Sequence, residues 1–168
     1  LLCAAVMTHG SVTVLGANPA HLTAPLALLG RMGVRVERRR TEGDGDALHV
    51  APYERPRPAD VVTLPYPGFP TDLQAQWMAL ATGMEGVATI TETIFENRFQ
   101  HVAELVRMGA KIRLEGRWAV VEGPSRLTGA SVMASDLRAS AALAIAALTA
   151  EGVTTIDRVY HLDRGYAK

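Results

Sequence analysis

The stretch EGVATIT at residues 85–91 recurs as EGVTTID at residues 151–157, an offset of 66 residues. A third copy lies nearer the start of the chain, where GSVTV at residues 10–14 aligns with GVATI at residues 86–90 at an offset of 76. Such internal repeats predict a repeated supersecondary unit, and this prediction outweighs those made from local sequence patterns. The sequence therefore predicts three copies of one unit, over approximately residues 1–64, 65–130 and 131–168.

The offsets also place both ends of the chain within a unit. At the offset of 76, Leu1 corresponds to Trp77, and at the offset of 66, Lys168 corresponds to Val102. Trp77 and Val102 both lie in segments with helical patterning. We therefore expect residues 1–168 to form one domain that is incomplete at both ends and belongs to a larger protein.

Predicted helices and predicted strands differ in which of their faces are apolar. SAALAIAAL at residues 140–148 carries no charge, residues 1–7 are similar, and residues 73–81 carry two glutamines among apolar side chains. A helix that is apolar on every side is typical of the interior. Residues 34–37 and 112–115 alternate apolar with charged side chains, which is typical of a strand with one wet face. The sequence therefore predicts an α/β fold of repeated units, an inside-out barrel with helices buried centrally and sheets outside.

Composition and charge exclude several classes of partner. The 17 basic and 17 acidic residues cancel, so neither a nucleic-acid footprint nor a membrane-binding patch is indicated. The longest apolar run, residues 139–150, is too short to span a bilayer. The single cysteine, Cys3, excludes an internal disulfide and fits a reducing cytoplasm.

Sequence motifs for metals and nucleotide cofactors are also missing. The five histidines include no pair at the spacing typical of metal ligands on a helix. Neither the glycine-rich dinucleotide motif nor the Walker phosphate loop occurs. We therefore expect no metal site and no cofactor.

Two arginines occupy equivalent places in the repeat. The offset of 66 carries Arg98 onto Arg164, each after a predicted strand and loop. A guanidinium group binds carboxylate or phosphate oxygens in a bidentate way that lysine cannot reproduce, so the pair indicates a site for an anionic substrate. The alternative is that each arginine bridges repeat units through backbone carbonyls.

An aspartate follows an unusually constrained segment. Asp72 comes after PYPGFPT at residues 65–71, whose three prolines and one glycine restrict the backbone. A pre-positioned carboxylate can accept a proton from a hydroxyl group, which makes Asp72 a candidate general base; the alternative is a helix-capping aspartate. Asp136 and Arg138 lie at the equivalent helix start. They are candidate site residues. The alternatives are a local cap beside a surface arginine, or an ion pair that joins repeat units.

Four motifs occur in order along the chain. They are PYPGFPTDLQAQ at residues 65–76, TETIFENRF at 91–99, DLRAS at 136–140 and DRVYHLDRGY at 157–166. Together they resemble the UDP-N-acetylglucosamine 1-carboxyvinyltransferases, a family of enolpyruvyl transferases. The similarity is dense from residue 65 to residue 166, and before residue 65 it depends on the repeat.

The resemblance implies a protein of two similar domains, each with three units, and places this chain in the C-terminal domain. It implies transfer of the enolpyruvyl group of phosphoenolpyruvate to the 3-hydroxyl of UDP-N-acetylglucosamine, with release of phosphate, as the first committed step of peptidoglycan synthesis. By the same resemblance Asp72 contacts that hydroxyl as the base. Ile94 binds the sugar nucleotide through its backbone, with Phe95 beside it, and Arg164 binds phosphoenolpyruvate. The residues expected to line the site as charged support are Arg98, Asp136 and Arg138.

The resemblance also implies that part of the site lies elsewhere. The family's lysine that holds phosphoenolpyruvate and its loop with the proton-donating cysteine or aspartate belong to the N-terminal domain. We therefore expect that domain to be the partner of this chain, and the chain alone to be inactive. Two alternatives stay open: a non-catalytic homologue or UDP-sugar-binding module, and, less favoured, a 3-phosphoshikimate 1-carboxyvinyltransferase.

Overall fold

The computed structural model describes residues 1–41, 45–51, 53–163 and 165. Its α-helices are α1 (Leu2–Met7), α2 (Thr23–Arg31), α3 (Gln74–Thr82), α4 (His101–Arg107), α5 (Leu137–Ala147) and α6 (Tyr160–Asp163). Its strands are β1 (Val12–Val14), β2 (Val36–Thr41), β3 (Gly45–Val50), β4 (Val61–Val62), β5 (Gly86–Thr91), β6 (Lys111–Glu115), β7 (Trp118–Gly123), β8 (Ser131–Met133) and β9 (Thr155–Asp157). Short 3-10 helices, Pro19–Leu22 and Thr71–Leu73, precede α2 and α3.

The strands form three sheets. The second sheet has four strands, and each of the other two sheets contains part of the same strand order. The second sheet has the order β4-β5-β7-β6, with β4 parallel to β5 and the other neighbours antiparallel. The first sheet, β1-β3-β2, shows the last three strands of that order, and the third, β8-β9, shows its first parallel pair. This arrangement agrees with the predicted repeat, whose unit boundaries stay a prediction.

Helices α1, α3 and α5 pack against one another in the interior. All nine residues of α3 are buried, with Trp77 1% exposed and Leu80 fully enclosed. Strand β5 turns one face toward this core, because Ala88 and Ile90 are fully buried whereas Val87 is 59% exposed. The predicted α/β fold, with buried helices and outer sheets, is confirmed.

The two glycines that follow an Arg-Met pair end α2 and α4 in the same way. Gly33 and Gly109 have φ values of 84° and 99°, in the left-handed region that a residue without Cβ adopts at low cost. Beyond Gly33, the N–H of Val34 donates to Leu29 O at 3.0 Å, which satisfies a carbonyl of the last helical turn. An equivalent bond closes α4. Each helix therefore turns directly toward the strand that follows it, β2 or β6.

Helix α1 is less buried than its apolar sequence predicts. Residues 5–7 are buried, whereas residues 2–4 are half-buried and Leu1 is 83% exposed. The half-buried residues form one wall of an apolar groove of about 520 Å³. Its other walls include Pro25, Leu29, Trp77, Ile145 and Leu148. An apolar sequence shows which faces of a helix can be buried, but not whether a neighbour covers each of them.

Strand β6 also departs from the prediction. Its alternation predicts a buried face, yet Ile112 is only half-buried and Leu114 is 48% exposed. The strand lies at the edge of the second sheet, where it has a neighbour on one side only. Fewer residues therefore cover its apolar face than cover that of β5.

Candidate active site

The 3-10 helix before α3 presents Asp72. It follows the proline-rich segment, in which the Tyr66-Pro67 peptide bond is cis. Pro70 occupies the capping position of this helix, and no side chain caps it. The alternative of a helix-capping role for Asp72 is therefore wrong, and its carboxylate, 62% exposed, is engaged in ion pairs instead.

Two arginines converge on one oxygen of this carboxylate. Arg138 Nε donates a hydrogen bond to Asp72 Oδ1 at 2.6 Å, and Arg98 Nη1 lies 3.4 Å from the same oxygen. The other oxygen, Oδ2, receives no hydrogen bond from the described residues. The arginine side chains are more enclosed than the aspartate, at 18% exposed for Arg98 and 34% for Arg138. The fold thus brings together three predicted site residues and leaves one carboxylate oxygen open.

Arg98 is held on two further sides. Its Nη1 also donates to Thr71 Oγ1 at 2.7 Å, and its guanidinium carbon lies 4.3 Å from the centroid of the Phe95 ring. That separation is typical of a cation–π contact. The preceding residue, Asn97, has a φ of 57°, so the chain turns sharply as it delivers Arg98 to the site. Arg98 therefore has a defined position beside Asp72.

The loop after β5 carries Ile94 and Phe95, which are 37% and 51% exposed. Their backbone N–H groups donate to Glu92 Oε1 at 2.9 Å and 3.1 Å. The Ile94 carbonyl accepts no hydrogen bond within the described part of the chain. A ligand that contacts the backbone of Ile94 would therefore meet this carbonyl, with the Phe95 ring beside it.

Asp136 caps α5. Its carboxylate accepts hydrogen bonds from the N–H groups of Arg138 at 2.7 Å and Ala139 at 3.1 Å. This satisfies two of the free amides at the helix start. The local-cap alternative is confirmed for Asp136, and a contact between Asp136 and substrate stays a prediction. Arg138 forms an ion pair between the predicted second and third units.

Arg164, the expected ligand of phosphoenolpyruvate, lies outside the described residues. The preceding helix, α6, ends at Asp163 and contacts α5. Helix α6 therefore lies beside the helix that carries Arg138, and the position of Arg164 stays a prediction.

Glu92, directly after β5, is a buried carboxylate beside these residues, and it lies in the second motif without an expected role of its own. It is 1% exposed, and besides the two loop amides it accepts hydrogen bonds from the hydroxyls of Thr63 at 2.9 Å and Thr71 at 2.7 Å. The alternation of β5 predicts that Glu92 is buried. Side chains of a strand alternate between its two faces, and Glu92 lies two positions after the buried Ile90, on the same inner face. A carboxylate on a buried face needs hydrogen-bond partners, and such groups often have a function.

Burial alters the acidity of two further groups. Desolvation lowers the pKa of His101 to about 4, although the charge of Asp136 acts in the opposite direction. Burial raises the pKa of the Cys3 thiol to about 11. A thiol with a raised pKa is a poor nucleophile at neutral pH. Cys3 therefore offers no reactive thiolate.

Across residues 1–41, 45–51, 53–163 and 165, no group of three His, Cys, Asp or Glu side chains is placed to hold a metal ion. Within those ranges, no helix has both the length and the apolar character needed to cross a bilayer.

The family model described as EPSP synthase (3-phosphoshikimate 1-carboxyvinyltransferase) matches residues 1–168, the whole sequence. The chain belongs to this family. Curated relatives define the similarity more closely. The UDP-N-acetylglucosamine 1-carboxyvinyltransferase of Koribacter versatilis is 53% identical over 165 residues, which cover 98% of this chain and 37% of the relative. The protein of the same name from Sphingopyxis alaskensis is 54% identical over 166 residues, or 99% of this chain and 38% of the relative.

The chain thus spans somewhat more than a third of the length of these relatives. The resemblance drawn from the four motifs is confirmed. Among solved structures, the enolpyruvyl transferase NikO from Streptomyces tendae matches with a TM-score of 0.83 and 29% identity, over 98% of this chain and 39% of that chain. EPSP synthase from Acinetobacter baumannii matches with a TM-score of 0.62 and 18% identity, over 92% and 37%, and supports the fold alone.

Proposed function

We propose that the full-length protein transfers the enolpyruvyl group of phosphoenolpyruvate to the 3-hydroxyl of UDP-N-acetylglucosamine and releases phosphate. The observation that carries the proposal is the Asp72 carboxylate, whose Oδ1 is engaged by two arginines and whose Oδ2 accepts no hydrogen bond from the residues that the structure describes. The names of the curated relatives support the same acceptor. This chain then supplies one side of the site, and the N-terminal domain supplies the lysine and the proton-donating loop.

In this reaction the hydroxyl oxygen adds to C2 of phosphoenolpyruvate as C3 takes up a proton. The adduct then loses phosphate from C2 and a proton from C3. Asp72 Oδ2 accepts the hydroxyl proton, because the arginine contacts to Oδ1 orient the carboxylate and no other described residue donates to Oδ2. A positioned base of this kind contributes ~10²–10⁴ in rate.

The residues proposed to line the site are Ile94, Phe95, Arg98, Asp136, Arg138 and Arg164. Ile94 offers its carbonyl and Phe95 its ring to the sugar nucleotide. The arginines suit a substrate that carries both a carboxylate and a phosphate, since guanidinium groups bind either one through paired hydrogen bonds. Asp136 supports Arg138 by capping the helix that presents it.

The proposal extends to the cellular role. The transfer would be the first committed step of peptidoglycan synthesis, and so would serve cell wall biogenesis, cell shape and cell division. We place it in the cytoplasm, which a chain with a single cysteine and no internal disulfide suits.

The test is phosphate release by the full-length protein with phosphoenolpyruvate and UDP-N-acetylglucosamine. We expect Asp72→Asn to lower kcat by at least ~100-fold, because the amide cannot accept the hydroxyl proton. Asp46→Asn is the matched control, since Asp46 forms an exposed ion pair with Arg38 on the first sheet and contacts no site residue. Unchanged turnover in Asp72→Asn would show that another group is the base. This chain alone should release no phosphate.

A second candidate acceptor follows from the family description, which names 3-phosphoshikimate. The same assay with 3-phosphoshikimate in place of the sugar nucleotide separates the two. Turnover with that acceptor alone would replace the proposed substrate. Calorimetric binding of UDP-N-acetylglucosamine without turnover would instead identify a non-catalytic sugar-nucleotide-binding protein.

A further inference from the structure

Glu92 has the most extensively hydrogen-bonded carboxylate at the site. Its Oε1 accepts from the hydroxyl of Thr63 at 2.9 Å and from the amides of Ile94 at 2.9 Å and Phe95 at 3.1 Å. Its Oε2 accepts from the hydroxyl of Thr71 at 2.7 Å. The residue is 1% exposed, so these four donors replace water around the carboxylate.

The direction of each hydroxyl hydrogen bond can be assigned. Thr71 Oγ1 is also 2.7 Å from Arg98 Nη1, and a guanidinium group can only donate. The Thr71 hydroxyl hydrogen must therefore point to Glu92, so the order of donation is Arg98 to Thr71 to Glu92. Thr63 Oγ1 likewise accepts from the N–H of Thr93 at 2.8 Å and donates to Glu92. Chains of aligned hydrogen bonds of this kind strengthen one another in a buried setting.

We infer that Glu92 is a positioning residue that aligns the Arg98–Asp72 pair through Thr71 and holds the Ile94–Phe95 loop. This role rests on the proposed function. The two oxygens have different roles. Oε2 is linked to Arg98 through the Thr71 hydroxyl, and Oε1 accepts the hydrogen bonds that hold the loop. Glu92 touches neither Asp72 nor the surface where a substrate would lie, and it acts through these partners.

The variant Glu92→Gln separates the alignment of Arg98 from the support of the Ile94–Phe95 loop. Glu92→Gln has the same shape, and its amide oxygen can keep the three bonds now made to Oε1. Its NH₂ group replaces Oε2 and cannot accept the Thr71 hydroxyl hydrogen. Arg98 then loses its indirect tie to a negative charge, while the loop keeps its hydrogen bonds.

The experiment uses the full-length protein with phosphoenolpyruvate and UDP-N-acetylglucosamine. We expect Glu92→Gln and Thr71→Val each to lower kcat by about 10- to 100-fold, since a small misplacement of site groups costs that much. The KM for UDP-N-acetylglucosamine should change far less than kcat, and each variant should fold with a lowered melting temperature, since a buried group loses a hydrogen-bond partner. The double variant should be no slower than the slower single variant, because both substitutions break one chain of hydrogen bonds. Thr71→Ser restores the hydroxyl and should recover most of the rate lost in Thr71→Val.

Three results would overturn the inference while the proposed function stands. They are a wild-type kcat in Glu92→Gln, a rise in KM with no loss of kcat, and losses that multiply in the double variant. Should Glu92→Gln fail to fold, Thr71→Val and its rescue by Thr71→Ser decide the matter. A wild-type protein that releases no phosphate with this acceptor overturns the proposed function, and the role of Glu92 with it.

Discussion

Asp72 is 62% exposed, yet two guanidinium groups approach one of its oxygens. Ion pairs with an exposed partner contribute only about 0.2–1 kcal/mol each to stability. The two pairs therefore matter for orientation more than for stability.

His101 provides a test of burial at the residue scale. Its pKa of about 4 lies below the ordinary value of 6.5, chiefly because of desolvation. As the pH falls below 6.5 the unfolded chain takes up a proton that the folded chain excludes, so stability falls until the pH reaches about 4. We expect this histidine to lower the free energy of unfolding by about 2 kcal/mol between pH 7 and pH 5.

Urea denaturation of the wild type and His101→Gln at both pH values measures this loss. The wild type should lose more stability than the variant, which cannot titrate at this position. NMR titration of the ring Cε1–H provides an independent measurement. A His101 resonance that titrates with a midpoint near 6.5 would contradict the burial argument.

Candidate site residues can be chosen from the sequence more readily than their arrangement can be predicted. The sequence draws attention to Asp72, Arg98 and Arg138, because their side-chain chemistry and their places in the repeat can be seen without a structure. Their convergence on one oxygen depends on how α5 docks on α3, which no local pattern encodes. Glu92 is harder to find, because its burial follows from the parity of β5 and its partners come from three separate segments.

At the scale of elements, α3 shows that the predicted burial of an apolar helix holds where neighbours surround it, since all nine of its residues are buried. Helix α1 has the same apolar character, but its first residues border the apolar groove. The difference comes from tertiary neighbours and not from composition. For the same reason, β5 in the centre of the second sheet follows its alternation and β6 at the edge does not.

The start of α5 yields a stability prediction. Asp136→Ala leaves the N–H groups of Arg138 and Ala139 without an acceptor, and loss of such a cap costs about 1 kcal/mol. Asp136→Asn is the matched control, because its amide oxygen can still accept both hydrogen bonds. Urea midpoints of the three proteins measure the effect. Equal losses in both variants would show that the charge of Asp136 matters and the cap does not.

At the scale of the whole molecule, the groove of about 520 Å³ leaves apolar side chains uncovered. Exposed apolar surface of this kind drives association. We expect this chain, in isolation, to self-associate as its concentration rises, and sedimentation velocity measures this directly. Leu148→Glu, in the groove and 60% exposed, should weaken association. Leu64→Glu is the control, since Leu64 is 49% exposed but lies outside the groove. A monodisperse monomer with a high melting temperature would contradict the prediction.

The hydrogen bond between Asp72 and Arg138 joins residues that are 66 positions apart in the chain. Contacts of such long sequence separation require the loop between them to close, and the entropy of closure opposes their formation until other contacts stabilise the fold. Each partner can enter its own helical segment early, but the carboxylate and the guanidinium meet only after α3 and α5 have docked. The geometry at Asp72 is therefore a product of tertiary assembly, and a folding intermediate with complete helices would still lack it.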